Sequence, residues 1–264
     1  LFRVHDKPDP LRLEALAQYL EHLGIPWSAN AQKPGDFTRL LERIGEPALR
    51  EQVSAFVLRS QAQAIYSPEN VGHFGLNLRR YAHFTSPIRR YSDLVVHRLL
   101  IHHLDLAGEG GATYDPEELQ DRAEKVSACE RRAVDAERRA QARYVALYMA
   151  DRRGARFAGR VTGVQRFGLF VTLTESGADG LVPVSMLGAE YFLHDERHHA
   201  LIGEKSGETF AMGDAVEVTL LEADTVKGML VFRIEEHTPA RAADLARAAF
   251  RRSEIGRASG RERV

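Results

Sequence analysis

The stretch RFAGRVTGVQRFGLFVTL, Arg156 to Leu173, is where the chain changes character. Before residue 153 apolar residues recur every three or four positions, as on helix faces. From Arg156 they alternate, the pattern of half-buried strands, and Gly168 marks a turn between two of them. GLVPVSML follows from Leu181's neighbour Gly180, then a Gly-punctuated segment as far as Gly213-Asp214, and AVEVTLLEAD with GMLVFRIEE closes as a hairpin. Five short strands with Gly-marked bends predict a small closed barrel. The expected class is α+β: a mostly helical region over residues 1–153, a five-stranded barrel over 154–237 and a basic tail over 238–264.

Upstream, Asp9-Pro10 opens a helix with Leu13, Leu16, Leu20 and Leu23 on one face and Gly24 as its stop. Asp36 is placed to cap a short helix ending at Gly45, and Pro47 starts another that runs to about Tyr66. Ser67-Pro68-Glu69-Asn70 is a turn, and residues 72–84 read as loop and strand. A helix is expected from Ser86 to about Asp105, broken by Gly108 to Gly111. Asp115-Pro116-Glu117-Glu118 has capping-box spacing with proline at the first helical position, and the helix it opens meets no breaker until Gly154. Its mixed charges suit a solvated face. A short basic helix is expected over residues 238–252.

The chain has 264 residues, 44% hydrophobic, enough for one large or two ordinary domains with a real core. Its net charge of −1 gives no bulk field toward nucleic acid or membrane. No apolar run approaches the roughly 20 residues of a membrane span, so no membrane partner is expected. The single cysteine, Cys129, excludes an internal disulfide and suits a reducing, cytoplasmic setting.

The second informative stretch is YAHFTSPIRRYSDLVVHRLL, Tyr81 to Leu100. Read as a helix start, Ser86 caps it, Pro87 takes the first position, and Arg89 and Arg90 fall in the first turn. Cations there oppose the helix dipole, a cost that a phosphate would offset. The plainer reading is two surface arginines, with Arg89 ion-paired to Asp93. Arg90 either contacts phosphate or packs structurally. Asp93 and His97, four apart, are too few for a metal site and read better as orienting Arg90 or Arg98. Tyr81, Phe84 and Tyr91 either stack on bases or belong to the core. His102-His103 and His198-His199 are adjacent pairs that point apart.

The block HFTSPIRRYxDLxxHR resembles the last signature of the catalytic domain of the ribonuclease R and ribonuclease II family. QAIYSPENVGHFGLNLRRYAHF (Gln63 to Phe84), FRVHDKP (Phe2 to Pro8) and ACERRA (Ala128 to Ala133) are similar to the same family, and the likeness runs from residue 2 to about 236. The resemblance implies a 3′→5′ exoribonuclease that hydrolyses single-stranded RNA to nucleoside 5′-monophosphates with bound Mg2+. It implies that Arg89 lies beside the scissile phosphate, where a permanently charged, two-pronged donor stabilises the charge gained in hydrolysis. It places Glu130 near the RNA, although a helix-surface salt bridge would explain that residue too, as a cap alone would explain Ser86. The family's metal-binding aspartates lie upstream of these blocks, and no DxxxxxDxDD-like run occurs here. Glu117-Glu118 and Glu235-Glu236 are the nearest carboxylate clusters. The expectation is therefore a C-terminal part of a monomeric enzyme, inactive alone, whose missing N-terminal part carries the metal. The alternative is a non-catalytic RNA-binding protein.

The pattern GxVxxVxxFGLFVxL…GLVPVSxL, over residues 155–236, resembles the S1 domain, an RNA-binding OB-fold barrel. That resemblance implies that Phe167 and Phe170 form an aromatic RNA-binding face, with Arg160 and Arg166 reaching phosphate and His194 a further candidate. Pro183 stands where GLVHxS would carry histidine. From Ala155 to Glu236 there are seven Lys/Arg against thirteen Asp/Glu, so RNA binding must come from a local basic strip and stacking. The tail EIGRASGRERV, Glu254 to Val264, resembles the translation of a sequencing adapter and is left out of the fold reasoning.

Overall fold

The computed structural model describes residues 1–28, 33–106 and 109–240. In chain order the elements are β1 (Phe2–Val4), α1 (Pro10–His22), α2 (Pro34–Glu42), α3 (Pro47–Ser60), β2 (Ile65–Ser67), α4 (Tyr91–His103) and α5 (Pro116–Ala150). Eight strands follow: β3 (Arg156–Gln165), β4 (Gly168–Leu173), β5 (Asp179–Pro183), β6 (Phe192–Asp195), β7 (Ala200–Gly203), β8 (Thr209–Ala211), β9 (Ala215–Asp224) and β10 (Met229–Thr238). Among the described residues no helix is long and apolar enough to cross a membrane. Residues 241–252 of the expected basic helix, the adapter-like tail and Gly108 lie outside the described residues.

The chain forms two compact units. The first comprises Leu1–Leu13, Ala29–Arg43 and Val57–Glu137. In it β1 pairs antiparallel with β2, Arg3 opposite Tyr66. The ladder is fixed to α5 by Ser127, whose Oγ accepts the Tyr66 N–H at 3.0 Å and donates to the Ala123 carbonyl at 2.8 Å. His5 locks the following loop. Its Nδ1 accepts the Gly75 N–H at 2.8 Å, so the ring proton sits on Nε2, 2.7 Å from the Ala62 carbonyl. Phe37 and Leu40 of α2 and Val95 of α4 are buried in this unit.

The second unit comprises Glu14–Ser28, Ile44–Phe56 and Arg138–Val264. Its barrel closes in the order β10-β5-β4-β3-β9, with β5 and β10 parallel at Val231 and Leu181 and the other pairs antiparallel. Alternate residues fill it: Val161, Leu169, Val171, Leu173, Val182, Val218, Leu220 and Phe232 are buried. Leu16, Leu20 and Leu23 are buried as their spacing requires, and Gly24 ends that helix region with a left-handed φ of 66°. Tyr19 stacks on Phe56 with centroids 4.5 Å apart, and Gln52 Nε2 donates to the Met212 carbonyl at 2.7 Å.

Several boundaries differ from the expectations above. The second helix begins at Pro34, two residues before Asp36. Asp36 occupies the third position and its carboxylate accepts the Lys33 N–H at 3.0 Å, so it caps backwards from inside the helix. α3 ends at Ser60 rather than Tyr66, because Ile65 to Ser67 pair with β1. α4 ends at His103, and Asp105 is left-handed at φ 47°. The Gly-punctuated segment between β5 and β9 holds a three-stranded sheet, β6-β7-β8, which the alternation did not foreshadow. The helix expected from Ser86 begins at Tyr91, with Arg90 as its extended N-cap.

Candidate functional site

Residues Phe84 to Arg90 form a turn held at both ends by α4. Ser86's carbonyl accepts the N–H of Arg89 at 3.2 Å and of Arg90 at 3.0 Å. Arg90 is then extended, at φ −126° and ψ 113°, and serves as the N-cap of a helix that begins at Tyr91. Both arginines thus precede the helix, where the sequence had put them in its first turn. The organiser is Asp93, fully buried at the third helical position. Its Oδ2 accepts the Ser86 N–H at 2.8 Å and Arg90 Nη2 at 3.0 Å, and its Oδ1 accepts the Ser92 hydroxyl at 3.1 Å. Burial pushes the Asp93 carboxyl upward, but the Ser86 N–H, the Ser92 hydroxyl and the Arg90 charge together hold it below the usual aspartate value. A carboxylate near a helix N-terminus is also favoured by the dipole. At the other end, His97 Nε2 is 2.8 Å from the Phe84 carbonyl and its ring stacks on Phe84.

This anchoring separates two adjacent, identical residues. Arg90 is the ion-pair partner of Asp93, which corrects the Arg89–Asp93 alternative. Arg89 is exposed at the apex beside Ile88, itself 98% exposed. Both arginines line a groove of about 750 Å3 with Tyr66, Arg122, Lys125 and Glu130. Its carboxylates are already engaged: Glu118 with Arg122 at 2.6 Å, Asp121 with Lys125 at 2.6 Å, Glu130 with Arg3 at 2.7 Å. Among the described residues Arg89 is the groove cation with no carboxylate or hydrogen-bond partner for its guanidinium.

The Arg3–Glu130 pair joins residues 127 positions apart and carries no sequence signal. Arg3 also lies 4.7 Å from the Tyr66 ring centroid, and the Tyr66 hydroxyl meets His83 Nδ1 at 2.9 Å. Burial, then Arg90 and Arg3, hold the His83 pKa below the usual histidine value against the smaller opposing pull of Asp93 and Glu130. Tyr81 packs edge-on against His73 and His83, half-buried in that row of rings. Phe84 and Tyr91 are more open, and the Tyr91 hydroxyl accepts from Arg122.

In the second unit Phe167 and Phe170 are 55% and 40% exposed, edge-to-face with centroids 6.0 Å apart. Gly163 lies opposite Phe170 beside a register shift in β3. Arg166 next to them pairs with Glu196 at 3.1 Å, an exposed pair that competes little with a ligand. His194 Nδ1 lies 3.9 Å from the same Glu196 carboxylate. Arg160 is not brought to this face. Its Nη1 donates to the Gly213 carbonyl at 2.5 Å, in a separate cleft with Glu46 and Gln52.

The groove's donor set does not suit a magnesium ion. Hard divalent cations take several converging carboxylate oxygens, whereas each groove carboxylate here is neutralised by its own arginine or lysine.

The RNB domain family model matches residues 1–106 and the S1 RNA binding domain model residues 150–235. Ribonuclease R of Escherichia coli is 36% identical over 274 residues, covering all of this chain and 34% of its own length. Ribonuclease R of Vibrio cholerae is 39% identical over 247 residues, covering 89% of this chain and 30% of its own length. The chain thus spans about a third of the length of these relatives. RNase R of Mycoplasma genitalium superposes with a TM-score of 0.79 at 28% identity, both in its apo form and in complex with ribose methylated single-stranded RNA. Each match covers 88% of this chain and 37% of the other. By these matches the chain is ribonuclease R-like, RNB-domain sequence followed by S1 RNA binding domain sequence.

Proposed function

We propose that the chain works in 3′→5′ exoribonucleolytic hydrolysis of single-stranded RNA, as the part that grips the strand and presents a phosphate-stabilising arginine. One observation carries this reading: Arg89 stands exposed and unpaired on a rigid turn while every other described charge of the groove is satisfied. An unpaired guanidinium held in place needs no reorganisation to meet the charge that develops on a phosphodiester under attack. Water would add to the phosphorus of the last linkage and the bond to the 3′ oxygen would break, releasing a nucleoside 5′-monophosphate. Removal of such a donor costs about 3–4 kcal/mol of barrier in comparable oxyanion sites. The barrel would hold the strand by stacking on Phe167 and Phe170, worth about 1–3 kcal/mol per base. Mg2+, when bound, would supply water activation, and we assign its ligands to the part of the relatives' length that this chain does not span. The single cysteine supports action in the cytoplasm.

A second reading, RNA gripping without chemistry, is favoured by the engaged carboxylates of the groove. One gel separates the two. The chain is mixed with 5′-labelled single-stranded RNA and magnesium and run in native and denaturing lanes. A shortening ladder abolished by Arg89→Ala supports hydrolysis by this chain. A shifted band of unchanged length, weakened by Phe167→Ala, supports gripping. Neither ladder nor shift overturns both readings.

A further inference from the structure

The loop from Asn70 to Arg80 carries charge that the Arg89 groove does not use. Arg79 and Arg80 are both exposed, and among the described residues neither guanidinium has a hydrogen-bond or ion-pair partner. Arg79 and the exposed Lys7 line a cleft of about 410 Å3, which shares no lining residue with the groove. That volume is within the range of small-ligand sites. The acid in the cleft is Asp6, and its carboxylate already accepts the Lys7 N–H at 2.7 Å.

The platform beneath these charges is fixed. His73 and Leu78 exchange two backbone hydrogen bonds, of 2.8 and 3.2 Å. The Asn70 side chain accepts the Gly72 N–H at 3.2 Å and donates to the Arg79 carbonyl at 3.0 Å, and the Tyr81 carbonyl accepts the Arg3 N–H at 2.9 Å. Gly72 is at φ +82°, where a Cβ would sit 3.1 Å from the Leu78 carbonyl oxygen, so the loop needs glycine there. Arg79 and Lys7 are like charges lining one cleft, and an anion held between them relieves their repulsion. The cleft offers more than charge. Val71 and Leu78 expose apolar surface at 59% and 45%. His73 Nδ1 accepts the Leu76 N–H at 3.2 Å, which leaves its proton on Nε2 as a donor. Cations beside a small, partly apolar cleft with a neutral donor fit a phosphate and an unstacked base together, the elements of single-strand recognition.

We propose that this cleft is a second RNA subsite, in which Arg79 and Lys7 hold phosphates of a single strand while one base enters against Val71 and Leu78. It rests on the RNA reading above and adds a position along the strand separate from both Arg89 and the barrel.

The test is fluorescence anisotropy of the full chain with a labelled single-stranded RNA in EDTA, with salt varied from about 50 to 200 mM. Each phosphate contact on a single strand contributes about 0.7 to the slope of log K against log salt. K7Q/R79Q should therefore reduce the magnitude of the slope by about 1.4 and weaken binding by about tenfold. K7R/R79K keeps the charge and should keep the slope. An unchanged slope in K7Q/R79Q, with binding lost in F167A/F170A, overturns the subsite and leaves the RNA reading standing. No RNA binding by the unmodified chain overturns both.

Discussion

Replacing Asp93 tests the account of the Arg89 turn most directly. The carboxylate is fully buried and accepts from the Ser86 N–H, the Arg90 guanidinium and the Ser92 hydroxyl. Asp93→Ala leaves the Arg90 charge without its partner and the Ser86 N–H without an acceptor. Removing one member of a buried ion pair costs about 3–5 kcal/mol. Arg90's side chain retains 24% exposure and can turn toward water, so the lower end, about 3 kcal/mol, is expected. Asp93→Asn keeps the shape and one acceptor but not the charge, and should cost about 1.5–3 kcal/mol, the worth of a hydrogen bond to a charged group. The assay is urea unfolding of the full chain, read at the midpoint with the slope unchanged. A cycle with Arg90→Leu should show coupling well above the about 0.5 kcal/mol typical of independent sites. The pH dependence has a definite sign. Because the folded-state pKa of Asp93 is depressed, its contribution is complete above the ordinary value of 3.8 and is lost as pH falls from there through the folded-state value. The Asp93→Asn chain should lack that loss. A midpoint unchanged in Asp93→Asn, or a purely additive cycle, would refute the anchoring role.

The two adjacent arginines should behave differently. Arg89→Ala should leave stability within about 0.5 kcal/mol, as for an exposed, unpaired residue, while weakening RNA binding or turnover. Arg90→Ala strands Asp93 and should cost about 3 kcal/mol in the same urea assay; equal effects on stability would contradict the division of labour. In the barrel, Gly168 pairs with Pro183 at φ +152°, where an added Cβ would run into the Val182 carbonyl oxygen. Gly168→Ala must spread β4 from β5, and should lower the unfolding midpoint by the equivalent of at least about 2 kcal/mol. An unaltered midpoint would mean that the turn is more plastic than its geometry implies.

The parts of the fold that were legible from sequence share a physical cause. The barrel strands bury one face and expose the other, so alternation and Gly-marked turns reveal them. The leucine stripe of α1 and the Asp115-Pro116 start of α5 follow from helix period and capping, and the Asp115 carboxylate does accept the Glu118 N–H at 2.7 Å. The β6-β7-β8 sheet was hidden because every residue of Ala200–Gly203 and Thr209–Ala211 is buried, which removes the alternation. Arg160 was misleading for another reason: a basic residue on a barrel strand looks the same whether it faces solvent or, as here, satisfies a loop carbonyl.

The turn before α4 shows where letters alone stop being informative. Ser86-Pro87 is a sound helix-start signature, and it lost to a different accounting of hydrogen bonds. Asp93 has few acceptor positions, and folding assigns them to the Ser86 N–H, the Ser92 hydroxyl and one guanidinium. Once Arg90 takes that place, it must be extended to reach, the helix must begin after it, and Arg89 is carried outward to the apex. The unpaired charge at position 89 is therefore a consequence of a paired charge at position 90. A carboxylate three residues beyond an arginine pair, followed by an apolar run, is the sequence signal that could have located the turn. With one arginine, the buried aspartate would claim it, and among the described residues the groove would present no unpaired cation.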